Sequence, residues 1–234
     1  MPAERGDVRV MTWNIHGGGA TRRDRDLGRI IALVQRHDPD IVALQEIDAR
    51  GLSACAFDYL REALGEHTAE ARMITAPDGD IGHAIISRFP MRATVQHDVS
   101  VGRREPRAAI ETTVDTGHGL LQVIAVHLGL SFHERRHQAR LLAQMARSGP
   151  IRSIVLGDFN DWVWRGSVQR ALADSMFKRT HHKTFPAWLP LLGLDRIYSR
   201  PAPLLIRSWT DPTARHGSDH LPVIADLRMA TTGH

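Results

Sequence analysis

Ile154-Val155-Leu156-Gly157-Asp158-Phe159-Asn160 is an apolar run that ends in two polar side chains. Its β-branched and aliphatic residues do not alternate with polar ones, which predicts a strand buried on both faces. Gly157 permits a turn or a close approach of the backbone, and Asp158 and Asn160 follow at the end of the strand. An Asx turn, in which Asp158 and Asn160 cap local N–H groups, explains these residues equally well. The remaining sequence must distinguish a turn from a functional site.

Other apolar runs in the chain end in the same way. Val8 to Trp13 stops at Asn14 and is followed by His16, Ile41 to Leu44 stops at Gln45-Glu46, and Leu120 to Val126 stops at His127. Near the C-terminus, Ser218-Asp219-His220 precedes a last apolar strand at 222–227, and Asp195 interrupts the apolar segment 194–197. Buried strands that deliver polar side chains at their ends are typical of sheet proteins with a composite site. We therefore expect these side chains to converge.

Six of these segments resemble, in order, the motifs of the endonuclease/exonuclease/phosphatase superfamily of DNase I-like metal-dependent phosphoesterases. They are Thr12-Trp13-Asn14-Ile15-His16-Gly17, Leu44-Gln45-Glu46, Val126-His127-Leu128, Gly157-Asp158-Phe159-Asn160, Leu194-Asp195-Arg196-Ile197 and Ser218-Asp219-His220. The superfamily includes nucleases, abasic-site endonucleases, sphingomyelinases, inositol-phosphate 5-phosphatases and deadenylases, and the chain looks like a compact bacterial member. Weaker matches are 82–88, where many relatives have Asn in place of His83, and Arg104-Glu105-Pro106-Arg107.

Carboxylate side chains dominate the candidate metal ligands. Hard oxygen ligands suit Mg²⁺ or Mn²⁺, and we expect Glu46 to be the first ligand. Asp219 is the second, directly or through water, and Asn14 supports the same cluster. Zinc is disfavoured because Cys55 is the single cysteine in the sequence.

The resemblance also implies catalytic roles. His220 is the general base or a phosphate ligand, and Asp195 orients it. Asp158 positions or deprotonates the attacking water, or protonates the leaving oxygen. Asn160 and His127 hold phosphoryl oxygens, although His127 is alternatively the general acid. Weaker candidates for substrate contact are His16, His83, Arg104 and Arg107. Each residue also has a structural explanation: His127 as a hydrogen-bonded residue at a strand end, for example, and Asp195 as a surface partner of an arginine.

Composition is consistent with this interpretation. The 234 residues, 42% of them hydrophobic, are sufficient for one large core, and residues 1–234 are predicted as a single domain. The single cysteine and the absence of a visible signal peptide favour a cytoplasmic protein, which we expect to be a monomer. No apolar run approaches the roughly 18 residues of a membrane span. A net charge of +4 leans slightly toward a phosphate-bearing substrate. Basic clusters occur at Arg22-Arg23-Asp24-Arg25, at Arg103-Arg104 with Arg107, and at 133–140.

Hydrophobic periodicity predicts an α/β protein. Helices are expected at 26–37, at 56–64 with Gly65 as C-cap, and at 133–147, and further extended segments at 84–87, 93–99 and 108–114. Periodicity alone permits a single-sheet α/β fold. The resemblance instead implies a four-layer α/β/β/α sandwich, in which two mixed sheets are flanked by helices.

The sequence thus predicts a metal-dependent phosphoesterase that hydrolyses a phosphodiester, in a nuclease-like reaction, by direct attack of water. The substrate is left open among nucleic acid, lipid phosphodiester, phosphomonoester and small nucleotide, because the motifs specify the reaction and not the leaving group. The loop His181-His182-Lys183 lies shortly before the Asp195 motif and is a candidate wall of the cleft. In the following segment, 184–190, Trp188 and the leucines are left open as contacts of a lipid, of a base or of the core alone. A non-catalytic binding protein that retains the fold is the alternative from another class, but such a protein would usually have lost at least one motif residue.

Overall fold

Strands and helices follow one another in the order that the apolar runs suggest. The computed structural model describes residues 7–19, 26–52, 55–149, 152–162, 166–176 and 178–229. Within these residues the elements are β1 (Asp7–Asn14), α1 (Leu27–His37), β2 (Ile41–Asp48), α2 (Ala56–Leu64), β3 (His67–Ala76), β4 (Gly79–Ser87), β5 (Met91–Asp98), β6 (Ala108–Asp115), β7 (Leu120–His127), α3 (Phe132–Ser148), β8 (Ser153–Asp158), α4 (Ser167–Leu172), β9 (Lys178–Arg179), β10 (Asp195–Arg200), β11 (Leu205–Thr210) and β12 (Val223–Arg228).

The strands form two six-stranded sheets. The first has the order β11-β12-β1-β2-β4-β3 and the second β5-β6-β7-β8-β10-β9. Each sheet is mixed: β1 pairs in parallel with β2, and β7 with β8, whereas their other neighbours are antiparallel. Because parallel neighbours end at the same edge, Asn14 lies beside Gln45 and His127 beside Asp158. The sheet order brings the polar strand ends together in pairs.

The strand pleat divides the apolar side chains between two layers. Along β1, Val8 and Val10 pack into the core between the two sheets, whereas Met11 and Trp13 pack into the core beneath α1 and α2. A third core packs α3 and α4 on the outer face of the second sheet. The layers are therefore helices, sheet, sheet and helices. This confirms the four-layer sandwich and excludes the single-sheet alternative that periodicity had permitted.

Local signals determine where the helices begin and end. The Asp26 side chain accepts a hydrogen bond from the Arg29 N–H at the start of α1. Gly65 caps the C-terminus of α2, which confirms the predicted cap. Ser131 and Glu134 form a reciprocal capping box at the start of α3. No helix among the described residues is long and apolar enough to cross a membrane.

The predicted strands correspond to β1, β2, β7, β8 and β12, and the predicted extended segments fall in β4, β5 and β6. The structure adds β3, β9, β11 and α4, which the sequence analysis did not identify, and shows that Asp195 begins a regular strand. The predicted basic cluster at 22–25 lies outside the described residues.

Candidate active site

A cleft of about 570 Å³ lies at the ends of the central strands. Candidate residues that line it are His16, Glu46, Arg107, His127, Asp158, Asn160, Asp219 and His220. Asn14 and Asp195 are buried and hydrogen-bond to side chains that line the cleft. Both sheets contribute to this set, because Asn14 and Glu46 belong to the first sheet and His127 and Asp158 to the second.

The Asn14 side chain joins the two sheets. Its Nδ2 donates to Glu46 Oε1 at 2.9 Å and to Asp158 Oδ2 at 3.1 Å. Its Oδ1 accepts from the His16 backbone N–H at 3.1 Å, and its backbone carbonyl accepts from the Ser218 hydroxyl at 2.7 Å. Because donors and acceptors all match, the amide has one consistent orientation. Asn14 therefore presents a nitrogen, and not an oxygen, to the carboxylates.

Glu46 points into the cleft because β2 is irregular at this residue. Glu46 has a φ of 54°, and the pairing of β2 with β4 shifts register between Leu44 and Ile47. A bulge of this kind redirects a side chain out of the normal alternation. The Glu46 carboxylate remains one-third exposed, as does that of Asp219.

The His16 imidazole lies between these two carboxylates. Its Nδ1 is 3.3 Å from Glu46 Oε2 and 3.7 Å from Asp219 Oδ1. The hydrogen bond to Glu46 raises the pKa of His16. Burial opposes ionisation of Glu46, but the hydrogen bond from His16 and the neighbouring His127 and Asn14 lower its pKa to about 2. A cationic group is thus favoured between Glu46 and Asp219.

His127 is held as a neutral imidazole. Its Nδ1 lies 2.9 Å from the Arg107 guanidinium, which can only donate, so the ring proton is on Nε2. Burial and the Arg107 charge lower the pKa of His127 to about 3. The protonated Nε2 is 3.7 Å from both Glu46 Oε1 and Asp158 Oδ2. It is a hydrogen-bond donor directed into the centre of the cleft.

A histidine paired with a carboxylate lies opposite His127. Asp195 and Asp158 are directly cross-strand in the antiparallel pairing of β10 with β8. Asp195 Oδ2 is 2.8 Å from His220 Nδ1, and His220 Nε2 is 3.9 Å from Asp158 Oδ2. Burial alone would lower the pKa of His220, but Asp195 outweighs it, with help from Asp158 and Asp219, and raises that pKa to about 10. Burial and the Asp195 charge raise the pKa of Asp158 to about 6.

The turn after β8 is both an Asx turn and a wall of the cleft. Asp158 Oδ1 accepts a hydrogen bond from the Asn160 backbone N–H at 2.9 Å, which is the local cap considered above. The other oxygen, Oδ2, faces Asn14 and the two histidines. Asn160 has a φ of 50°, and its side-chain nitrogen donates to the Leu128 carbonyl at 2.9 Å. The turn geometry fixes the carboxylate, so the two interpretations are compatible.

His83 and Arg104 are not part of the cleft lining. His83 is fully buried in β4 and neither ring nitrogen has a hydrogen-bond partner. Burial, with a smaller contribution from Arg107, lowers its pKa to about 4, so it is neutral. Arg104 is half-exposed and forms an ion pair with Glu134 at 3.2 Å. Substrate contact by either residue remains a prediction without support from the cleft geometry.

Two groups of candidate metal ligands exist among the described residues. Ligand atoms of Asp158, Asp195 and His220 lie within 4.8 Å of one another. However, His220 Nδ1 already bonds to Asp195, and the high pKa of His220 favours a proton on the ring. Glu46 and Asp219 offer oxygen atoms only, are accessible from the cleft, and have the His16 imidazole, whose pKa is raised, between them. The second group suits a hard divalent cation better.

Sequence reasoning missed several residues of the site. Thr184 is buried, and its hydroxyl accepts from the backbone N–H groups of Leu194 and Asp195 at 3.2 Å, which holds the start of β10. Asp48 and Arg50 form a bidentate ion pair, with bonds of 3.0 and 2.9 Å, at one wall of the cleft. Trp162 and Leu130 line another wall. The position of Trp162, shortly after Asn160, was the one sequence signal available for that wall.

Comparison with known proteins gives consistent results. The sequence model of the Endonuclease/Exonuclease/phosphatase family matches residues 11–220. The chain is 34% identical to the uncharacterized protein YbhP of Escherichia coli strain K12, over 94% of this chain and 96% of that protein. An endonuclease/exonuclease/phosphatase structure from Beutenbergia cavernae has a TM-score of 0.77 at 23% identity, covering 97% of this chain and 72% of that one. A humanized Danio rerio TDP2 has a TM-score of 0.70 at 18% identity, covering 95% and 99%. These structures share the fold.

Proposed function

Because this chain belongs to the endonuclease/exonuclease/phosphatase family, which supports a phosphoesterase activity, we propose that it hydrolyses a phosphodiester by direct attack of an activated water, with Mg²⁺ or Mn²⁺ as cofactor. One observation carries the proposal. Asp158 Oδ2 lies 3.7 Å from His127 Nε2 and 3.9 Å from His220 Nε2, at the bottom of the cleft. These gaps are too long for direct hydrogen bonds, and a water beside the three groups would donate to Asp158 Oδ2 and accept from the histidine N–H groups.

Glu46 and Asp219 would hold the divalent ion, and the Asn14 amide would support Glu46 by donating to it. The donor set fits, since it consists of carboxylate oxygens on either side of the His16 imidazole, and these carboxylates raise the pKa of His16. When bound, the ion polarises a phosphoryl oxygen and offsets charge on the leaving group. His16 has to release its contacts with these carboxylates for the ion to bind.

The side chains at the bottom of the cleft supply the remaining chemistry. With a pKa of about 6, Asp158 is ionised at neutral pH and accepts the proton of the attacking water at Oδ2. With a pKa of about 10, His220 is an imidazolium, so its role is to donate to a phosphoryl oxygen while Asp195 orients it. His127 donates from Nε2, and Asn160 retains a second amide hydrogen for the phosphoryl group. Of the two roles considered for His220, these charges support the phosphate ligand.

The pH profile of kcat/KM tests the assignment of these charges. We expect activity to fall below about pH 6, where Asp158 gains a proton, and above about pH 10, where His220 loses one. The Asp195 charge raises both pKa values, so Asp195→Asn should move both limbs of the profile to lower pH. Asp226→Asn is the control, because Asp226 pairs with Arg9 and Arg207 and lies outside the cleft. If the acid and alkaline limbs of the Asp195→Asn profile stay where they are in the unmodified protein, the assignment of these limbs to Asp158 and His220 is refuted.

Metal binding by Glu46 can be measured without turnover. We expect Glu46→Gln, which keeps the side-chain volume but removes the charge, to weaken Mn²⁺ binding in a calorimetric titration by roughly tenfold or more. Activation by Mg²⁺ should require a correspondingly higher concentration. Glu105→Gln is the matched control, because Glu105 lines the same cleft but pairs with Arg107. Equal Mn²⁺ affinity in Glu46→Gln and the unmodified protein would exclude Glu46 as a ligand.

A substrate panel distinguishes hydrolysis from binding alone. The panel contains bis-p-nitrophenyl phosphate, plasmid DNA, abasic duplex, RNA, sphingomyelin, phosphoinositides and nucleotides, each with Mg²⁺ and with Mn²⁺. We expect metal-dependent cleavage of bis-p-nitrophenyl phosphate, because its leaving group departs readily. If the protein cleaves none of these compounds but binds one of them, the fold serves a non-catalytic binding function.

A further inference from the structure

Large exposed hydrophobic side chains are concentrated beside the cleft. Nine are exposed among the described residues, and six of them lie in segments that border the cleft. These six, which we call the apolar rim, are Leu130, Phe132, Trp162, Trp188, Leu189 and Leu191. Trp188 is 74% and Leu130 64% exposed, and Leu130 and Trp162 also line the cleft itself. Exposed apolar residues grouped around a site indicate a surface that binds something apolar.

The backbone beneath the apolar rim is held in place by hydrogen bonds. The Arg135 guanidinium donates to the Leu130 carbonyl and lies 4.7 Å from the centre of the Trp162 ring. The segment that carries Trp188 is closed at its base, where the Leu191 and Leu192 N–H groups donate to the Phe185 carbonyl at 2.9 and 2.8 Å. Phe185 and Leu192 line the cleft, so this segment continues the cleft wall outward. The fold therefore presents these side chains to solvent and does not bury them.

Charges are distributed differently on the rim and inside the cleft. Exposed cationic side chains accompany the apolar rim: Arg136 and Arg140 on α3 after Phe132, and Lys183 before the Trp188 segment. Inside, the lining has five carboxylates, those of Glu46, Asp48, Glu105, Asp158 and Asp219, and its cations are two arginines, Arg50 and Arg107, and the His220 imidazolium. Each of these arginines is hydrogen-bonded to one of the carboxylates. Among the described residues, the lining thus lacks the continuous basic track that would follow a polynucleotide backbone.

We infer that the apolar rim docks on an anionic phospholipid surface and that the substrate is a phosphodiester in a lipid headgroup. Tryptophan and aliphatic side chains insert at the boundary between headgroups and acyl chains, and neighbouring cations are attracted to anionic lipid. The mixture of aliphatic and aromatic side chains matches acyl chains better than nucleobases, which select aromatic platforms. This inference rests on the proposed function: water oxygen bonds to phosphorus, one ester P–O bond breaks, and a phosphomonoester and an alcohol result.

Vesicle binding tests the docking surface separately from catalysis. The protein is sedimented with vesicles of phosphatidylcholine, with or without phosphatidylglycerol, in the presence of EDTA, which prevents metal-dependent turnover. We expect binding to the anionic vesicles, and in Trp188→Ser/Leu191→Ser a partition coefficient lower by roughly tenfold or more. The matched control is Val95→Ser/Leu120→Ser, which removes two exposed apolar side chains on β5 and β7 and should leave binding unchanged. Equal losses in the two double variants would overturn the docking surface.

Hydrolysis assays separate this inference from the proposed function. If the protein cleaves bis-p-nitrophenyl phosphate but does not bind vesicles, the inference is overturned and the proposed function stays intact. Vesicle binding through the apolar rim without cleavage of any phosphodiester would overturn the proposed function, and with it the lipid substrate. Cleavage of the synthetic diester together with vesicle binding, but without release of a headgroup product, would overturn the lipid substrate alone. DNA binding that depends on Trp188, without vesicle binding, would overturn the docking surface in favour of nucleic acid.

Discussion

Replacing Asp158 by asparagine is expected to lower kcat on bis-p-nitrophenyl phosphate by roughly 10²- to 10⁴-fold, the usual contribution of a general base. The amide cannot accept the proton that the attacking water must lose. The change should leave KM comparatively unaffected, because His127, His220 and Asn160 retain the donors assigned to the phosphoryl group. A loss confined to kcat would identify an interaction made in the transition state.

The same substitution should change the free energy of unfolding little. The buried carboxylate is disfavoured by desolvation and by the Asp195 charge, and asparagine removes both penalties. In return, either the Asn14 amide or the Asn160 N–H loses its acceptor, which costs about 1 kcal/mol. Asp161→Asn is the matched control, because Asp161 is equally buried but accepts from the Val168 N–H and is not part of the cleft lining. Full turnover by Asp158→Asn would remove Asp158 from the mechanism.

Replacing Gly157 by alanine is expected to destabilise the fold by roughly 3 kcal/mol or more, from overpacking and backbone strain together. Gly157 has a φ of 144°, which side chains rarely permit, and it pairs with Val126 in the parallel ladder of β7 and β8. A Cβ atom at this position would lie 1.9 Å from the Val126 carbonyl oxygen. Because that oxygen belongs to the backbone of a central strand, it cannot move aside without displacing His127 as well.

Urea unfolding measures this cost, and Gly102→Ala provides the comparison. Gly102 also has a positive φ, of 61°, but an added Cβ would meet no atom within 4 Å. Its substitution should cost only about 1 kcal/mol of backbone strain. Equal destabilisation by the two alanines would mean that close approach of β7 and β8 is not what requires glycine at position 157.

The strands that end in the site were predictable because uninterrupted apolar runs, such as 154–156, indicate strands that are buried on both faces. β3 was not, because its inward residues, Ala69 and Ala71, are small and alternate with Glu70 and Arg72. Such a segment has helix-forming composition, and pairing with β4 decides its conformation. Local pattern therefore identifies strands that bury large side chains and misses those that depend on a neighbour.

The sequence identifies the site residues one by one, but it does not reveal their protonation states or the orientations of their side chains. The proton position on His127 depends on Arg107, which lies 20 residues earlier in the sequence and meets His127 only because β6 pairs with β7. The pKa of Asp158 depends on Asp195, which faces it only because β10 pairs with β8. Glu46 reaches the cleft through a positive φ that no glycine signals. Sequence motifs specify residue types, whereas strand order determines which charges meet.

The hydrogen bond from Asn14 to Asp158 crosses from one sheet to the other. The position of the Asp158 carboxylate relative to Asn14 and Glu46 therefore depends on how the two sheets pack against each other. A substitution between the sheets, at Ile85 or Val123 for example, can misalign the water-activating group while both sheets stay folded. Variants with substitutions in the layer between the sheets should accordingly be selected for thermal stability and for turnover at the same time.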